Sequence, residues 1–382
     1  EDNTFGLTGN AFMPRENPAD PDSPFVETLI TDLTSYKNRN GGLWGRGELH
    51  IFRNLKLADN AIGMTHSSGD FGSQAFTSRL EDSLVVGETD NIGNPTTPEE
   101  IAYGRSLPKT AVPDFPNRGY EYYDYRDEVV NTTFVNYQDN DRRKTGALSW
   151  LLFTSSGVTT ASTIEGARFV NAKPVYFPPI TLRFDNDNRG GVAYRTLSIH
   201  DLDGSVTGIP DSHIMLHDGE NDSVVIDESC EHHPTWNASV CTGDVGRLYL
   251  AQRNGRLGAR VIQEEPPIAL VRNGKEFKIT GNQSTVRSGI EIEVKTERSE
   301  VSLNMSEMDE GSWVIFELPG FAQAASGTEA DSMAALRASN ETSWFRDGDT
   351  LWVKLVAGAP NFPVRPFDFQ ASIAVSREGR GG

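Results

Sequence analysis

Two carboxylates stand two residues apart in the stretch His200-Asp-Leu-Asp-Gly-Ser-Val-Thr-Gly208. On a β-strand, residues i and i+2 share a face, so Asp201 and Asp203 are predicted to point the same way, with Gly204 letting the backbone turn. Paired acids are the minimum for glycoside hydrolysis: one protonated acid, and one base or nucleophile. Asp124 and Asp59 are further candidates for that pair. Elimination from a uronic-acid glycan needs instead a base near the sugar C5 and a cation to neutralise the carboxylate. Catalytic candidates for that role are His66 and Arg118. Arg46, Arg105, Arg142 and Lys144 are the other cations available. Trp44, Tyr120 and Tyr123 lie in two polar, aromatic stretches, residues 36–47 and 91–127. Aromatic rings beside Arg and Asp suit a sugar, which offers apolar ring faces and hydroxyls. Ordinary loop packing is the competing reading.

Asp185-Asn-Asp-Asn188 and Asp201-x-Asp203 each offer oxygen ligands at alternate positions, as hard cations prefer. Asp185 and Asp187 are therefore candidate calcium ligands, with turn formation as the alternative. Cys230 and Cys241 are the two cysteines of the chain. A bond between them implies an oxidising compartment. Two separate buried thiols, or a zinc site shared with His232 and His233, stay open on sequence grounds.

The elements that must position these groups show as a repeat. Phe52, Asn54, Leu57 and Asp59 stand at offsets 0, 2, 5 and 7. Leu80, Asp82, Val85 and Gly87 follow the same offsets, as do Val129, Asn131, Phe134 and Asn136, and Ile164, Gly166, Phe169 and Asn171. Leu197, Ile199, Leu202 and Gly204 form a weaker copy. On that alignment Leu202 and Gly204 take the apolar and turn positions, and Asp201 and Asp203 both face outward. An apolar residue inward followed by a turn-tolerant Asn, Asp or Gly predicts a solenoid of short strands. The expected fold is all-β: a right-handed parallel β-helix over residues 1–265, then a smaller antiparallel β-sandwich-like domain over 266–382. Alternating runs such as Ile290-Glu-Ile-Glu-Val-Lys295 carry the second part. Asp347-Gly348 supplies a hairpin turn, and a short helix is expected at 329–339.

Length and composition fit globular domains with full cores: 382 residues, 37% hydrophobic. No apolar run approaches the roughly 20 residues that cross a bilayer. The net charge of −19 disfavours nucleic acid and anionic surfaces. An anionic polysaccharide then needs local cations. Sequons at Asn131, Asn221, Asn237, Asn282, Asn304 and Asn340 would carry glycans in a secreted glycoprotein.

The blocks Trp44-Gly-Arg-Gly47, Leu57-Ala-Asp-Asn-Ala-Ile-Gly63, Ser83-Leu-Val-Val-Gly-Glu88, Gly104-Arg-Ser-Leu-Pro108 and His200–Gly208 occur in order. With Cys230, Trp236, Cys241-Thr-Gly243, Arg247-Leu-Tyr249 and Trp344–Leu355, they resemble the C-terminal half of the cell-migration-inducing, hyaluronan-binding proteins and the transmembrane cell-surface hyaluronidases. The resemblance implies an extracellular, secreted or cell-surface β-helix protein that binds or cleaves a polysaccharide, and makes calcium an expected cofactor. It also implies that the family's N-terminal domains, G8 among them, precede this segment. The expected function is depolymerisation of hyaluronan or another uronic-acid glycan. The alternatives are a non-catalytic carbohydrate-binding or adhesive surface protein, and a structural role in which Asp201 and Asp203 cap turns.

Overall fold

The computed structural model describes residues 7–8, 16–17, 19–20, 22–24, 26–38, 41–46, 49–67, 78–91, 93–103, 117–123, 126–141, 143–150, 160–178, 197–217, 219, 224–251, 267–278, 283–359 and 369–377. These are nearly all β. Up to Val170, successive strands are dealt in turn to three parallel sheets. The first holds Leu7–Thr8, Gly41–Arg46, Ile62–Ser67, Asn117–Tyr123 and Thr145–Trp150. The second begins Thr28–Thr31, His50–Arg53, Ser78–Glu81, Asp127–Val130, Ser162–Glu165 and Ser198–Asp201. The third holds Thr34–Tyr36, Lys56–Ala58, Leu84–Val86, Thr133–Val135 and Arg168–Val170.

The repeat read from the sequence is the register of these ladders. Phe52 pairs with Leu80, Leu80 with Val129, and Val129 with Ile164. Leu57, Val85, Phe134 and Phe169 pair in the same order in the third sheet. Between these two columns Asn54, Asp82, Asn131 and Gly166 have φ of 54°, 49°, 47° and 62°. Short polar side chains and Gly adopt this left-handed geometry at least cost, so one residue type per coil sets each corner. Stacked Asn side chains bridge coils at the next corner, where Asn171 donates to Asn136 at 3.1 Å.

The fifth copy is out of register. Asp201, not Leu197, stands opposite Ile164. Asp201 is fully buried while Leu202 is 39% exposed. The expectation that both acids face outward is therefore wrong for Asp201: a carboxylate occupies the apolar column. Parallel stacking stops there. Ser212–Leu216, Ala238–Thr242 and Cys230–His233 continue the second sheet antiparallel. Cys230 and Cys241 face each other in the last pair and are disulfide-bonded across 11 residues. Closing a loop of that size contributes about 3 kcal/mol in the chain-entropy account.

The remaining strands form a five-stranded sheet, from Gln283–Arg287 through Val245–Ala251, Glu300–Ser306 and Ala371–Ser376 to Gln323–Ala324. A seven-stranded sheet runs from Lys275–Lys278 to Thr328–Glu329. One core, including Leu248, Phe277, Ile292, Phe316 and Val353, is shared between them. Most pairs are antiparallel, but Ile290–Thr296 and Trp313–Pro319 run parallel, so the purely antiparallel expectation needs that correction. The hairpin at Asp347-Gly348 joins Ser343–Asp347 to Thr350–Val356. The helix spans Met333–Ala338, capped by Ser332 Oγ accepting from Ala335 N. The expected division at 265 falls outside the described residues, and Val245–Ala251 before it already belongs to the second core. Glu307 links the two parts, accepting from Thr160 N at 2.7 Å and Thr160 Oγ1 at 2.8 Å, and pairing with Arg247.

Candidate functional site

The first sheet carries a close-packed glycine step. Arg118 pairs with Ile62 and Gly146, and the ladder then resumes at Tyr120 beside Met64 and Leu148. A Cβ on Gly63 would lie 2.4 Å from Gly119 O, and one on Gly119 would lie 2.6 Å from Ala147 O. Only glycine fits there. Arg118 and Glu121 meet beside this step, although residues three apart on a regular strand point oppositely. Arg118 Nη2 meets Glu121 Oε2 at 2.8 Å, with both side chains fully buried. Thr65 Oγ1 donates to Glu121 Oε1 at 3.0 Å.

Register carries the row outward. Trp44 pairs with Thr65, and Thr65 with Glu121. Trp44 is 40% exposed. Tyr123 meets it edge-on, centroids 6.3 Å apart. Burial pushes the Glu121 carboxyl up against the opposing pull of Arg118 and Thr65. Burial likewise lowers Arg118, opposed by Glu121. The arrangement is an exposed indole in line with a rigid, internally neutralised polar pair. An exposed aromatic face held firmly is what stacks a sugar ring.

Of the sequence candidates, Trp44, Tyr123 and Arg118 are brought together here. Tyr120 is not on this surface: it is fully buried, its hydroxyl 2.9 Å from His66 Nδ1. His66 is equally buried, and burial, then His50, lowers it to about 3. It is a neutral core imidazole packed edge-on to Phe52 at 5.0 Å. Lys144 is 61% exposed and shares Asp139 with Lys173, at 3.1 and 2.6 Å. Arg46 ends the Trp44 strand, and its side chain lies outside the described residues. Asp124, Arg105, Arg142, Asp185 and Asp187 also lie outside them. Glu121 and Thr65 were missed by sequence reasoning. The signal was the glycine pair Gly63 and Gly119, which marks the close step between strands.

Asp201 and Asp203 are turn caps. Asp201 Oδ2 accepts from Val206 N, Thr207 N and Thr207 Oγ1 at 3.1, 2.8 and 2.8 Å. Asp203 accepts from Gly166 N at 2.7 Å and Ser205 N at 3.0 Å. These donors fit capping better than cation coordination. Among the described residues no group of three or more His, Cys, Asp or Glu is placed to hold a metal ion. Burial raises the Asp201 carboxyl, against the Thr207 and Val206 donors. For a carboxyl raised in the fold, the stability it adds is fully present below its unfolded value, near 3.8, and is lost as pH rises through the folded value. Asp201→Asn is therefore expected to melt within about 1 kcal/mol of the parent near pH 8, and to lose relative stability as pH falls. Asp201→Ala strands the three donors and is expected to cost about 2–3 kcal/mol. Thermal melts of the three proteins at several pH values check both; equal losses for Asn and Ala would contradict the capping role.

No known protein-family profile matches the chain. Curated relatives do match. A cell surface hyaluronidase of Homo sapiens is 32% identical over 251 residues, covering 63% of this chain and 18% of that protein. The cell migration-inducing and hyaluronan-binding protein of Mus musculus is 28% identical over 319 residues, covering 78% and 23%. A cell surface hyaluronidase of Danio rerio is 27% identical over 292 residues, covering 71% and 19%. The chain thus spans about a fifth of the length of the curated relatives it matches.

Proposed function

We propose that this chain, a relative of the cell surface hyaluronidases and of the cell migration-inducing, hyaluronan-binding proteins, is the polysaccharide-contacting part of an extracellular protein that depolymerises hyaluronan or a similar uronic-acid glycan. Its coil of parallel strands is read as a right-handed β-helix, closed by the Asp201 turn and the disulfide, with the sandwich-like part starting near Val245. The disulfide supports an extracellular or cell-surface setting. Among the described residues no helix is long and apolar enough to cross a membrane.

The observation that carries the reading is Trp44, exposed and braced by Tyr123 in line with Thr65, Glu121 and Arg118. A pyranose face stacks on the indole, and the glycan carboxylates need nearby cations on a chain of charge −19. Lys144, with its side chain 61% exposed beside Asp139, is one cation available for that purpose. A second reading, binding without cleavage, is favoured by the commitment of Asp201 and Asp203 to their turn.

One experiment addresses both. Hyaluronan of defined length is incubated with the parent and Trp44→Ala proteins. Binding, new reducing ends and the absorbance of unsaturated uronates are then followed. Trp44→Ala is expected to weaken binding about tenfold without lowering the melting temperature. Binding with no chain shortening selects the second reading. Parent protein that neither binds nor shortens the polymer overturns both.

A further inference from the structure

The seven-stranded sheet turns one face to the second core and the other away from it. Ile292, Phe316 and Val353 point inward. Their neighbours form two rows on the opposite face. In one, Glu291 pairs with Ile315, Ile315 with Lys354 and Lys354 with Ser343. In the other, Glu293 pairs with Glu317, Glu317 with Trp352 and Trp352 with Phe345.

The helix Met333–Ala338 covers the first row. Arg337 grips Glu291 through Nε and Nη2 at 2.6 and 3.0 Å. Lys354 Nζ donates to Arg337 O and Ser339 O at 2.7 and 2.6 Å. Ile315 and Leu336 are fully buried. Glu291 thus has its counter-ion, and the Lys354 ammonium is held by backbone carbonyls.

The second row is unlike it. Glu293, Glu317, Trp352 and Phe345 all stay partly exposed. Glu293 and Glu317 are direct cross-strand neighbours, an arrangement in which like charges repel. Among the described residues neither carboxylate has an ion-pair partner. Lys295, two residues beyond Glu293, feels its charge but gives its ammonium hydrogen bond to Glu276 at 2.6 Å. Burial, then Glu293 and Glu291, raises the Glu317 carboxyl, as expected for a charge lacking its counter-ion. The sheet thus keeps two adjacent carboxylates, neither in an ion pair among the described residues, beside two aromatic rings.

An anionic glycan is repelled by such a row. A cation with a flat face complements it. Guanidinium forks onto carboxylates and stacks on indole, which a lysine ammonium does less well. We propose that the row Glu293, Glu317, Trp352 and Phe345 is a docking surface for an arginine-rich segment of a partner protein. The surface is separate from the Trp44 face and does not depend on the polysaccharide reading.

The test uses the whole chain and a fluorescent oligo-arginine peptide, followed by anisotropy at about physiological ionic strength, where distant charges are screened. The double variant Glu293→Gln/Glu317→Gln is expected to weaken binding about tenfold and Trp352→Ala about threefold or more. An oligo-lysine peptide of equal length is expected to bind more weakly than oligo-arginine. Glu27→Gln/Glu300→Gln, which removes the same charge from exposed positions elsewhere, is expected to change binding less than about twofold. Melting temperatures report folding, and the Glu293/Glu317 variant is expected to melt no lower than the parent because repulsion is relieved. The proposal is overturned if the control weakens binding as much as the Glu293/Glu317 variant. It is equally overturned if that variant binds as tightly as the parent.

Discussion

Arg118→Ala is expected to destabilise the chain by about 3–5 kcal/mol, the usual cost of removing one partner from a fully buried ion pair. Arg118 and Glu121 are both fully buried, 2.8 Å apart. Without the guanidinium, Glu121 retains Thr65 as a donor but loses its counter-charge. Burial already raises this carboxyl against the pull of Arg118, so its removal raises it further. The sign of the pH dependence follows. Stability of the variant is fully retained below the unfolded value, near 4.5, and is lost as pH rises through the folded value. The deficit relative to the parent is therefore larger near pH 8 than near pH 5. Arg118→Leu/Glu121→Gln removes both charges and is expected to recover more than half of the loss, because a buried pair's value lies mainly in mutual neutralisation. Urea denaturation of the two single variants and the double variant, closed as a cycle, measures this. A single variant within about 1 kcal/mol of the parent would sink the account.

That pair also shows where the sequence stopped speaking. Arg118 was legible as a cation near aromatic residues, but Glu121 was not legible as its partner. Period-two reasoning puts them on opposite faces. The two meet beside the glycine step at Gly63 and Gly119, a close approach between stacked strands that no single segment displays. The stacked parallel strands were legible because each repeat makes the same two demands, a buried apolar residue and a left-handed corner. Phe52, Leu80, Val129 and Ile164 satisfy the first, and Asn54, Asp82, Asn131 and Gly166 the second. The reading failed at the fifth copy for a physical reason. Asp201 replaces the apolar residue, its Oδ2 held by amides of the following turn, so matching apolar to apolar slid the alignment onto Leu197 and Leu202. His66 and Tyr120 misled in the opposite way. Their polar atoms suggested chemistry, and the fold pairs them with each other inside the core.

Phe134→Ala is expected to cost about 3–5 kcal/mol and, on the proposed glycan-binding reading, to weaken that binding although Phe134 is buried. Its ring lies in the column between Val85 and Phe169, stacked on Phe169 with centroids 5.6 Å apart and planes 11° apart. Tyr137 meets it edge-on at 6.5 Å. In a stack of coils each coil leans on its neighbours, so a void at this level separates the coils on either side. Unfolding monitored by far-UV and aromatic signals is then expected to lose coincidence. Val170→Ala, 51% exposed one residue beyond Phe169, is the matched control and is expected to change stability by less than about 0.5 kcal/mol. The link to binding runs through the glycine step. Phe134 lies 2.9 Å from where a Cβ on Gly119 would sit, so its ring supports the step beside which Arg118 and Glu121 meet, in line with Trp44. A Phe134→Ala protein assayed well below its melting temperature is expected to bind hyaluronan more weakly than the parent, while Val170→Ala binds equally. Unaltered affinity in Phe134→Ala would mean that the Trp44 face is held by something other than the packing beneath the glycine step.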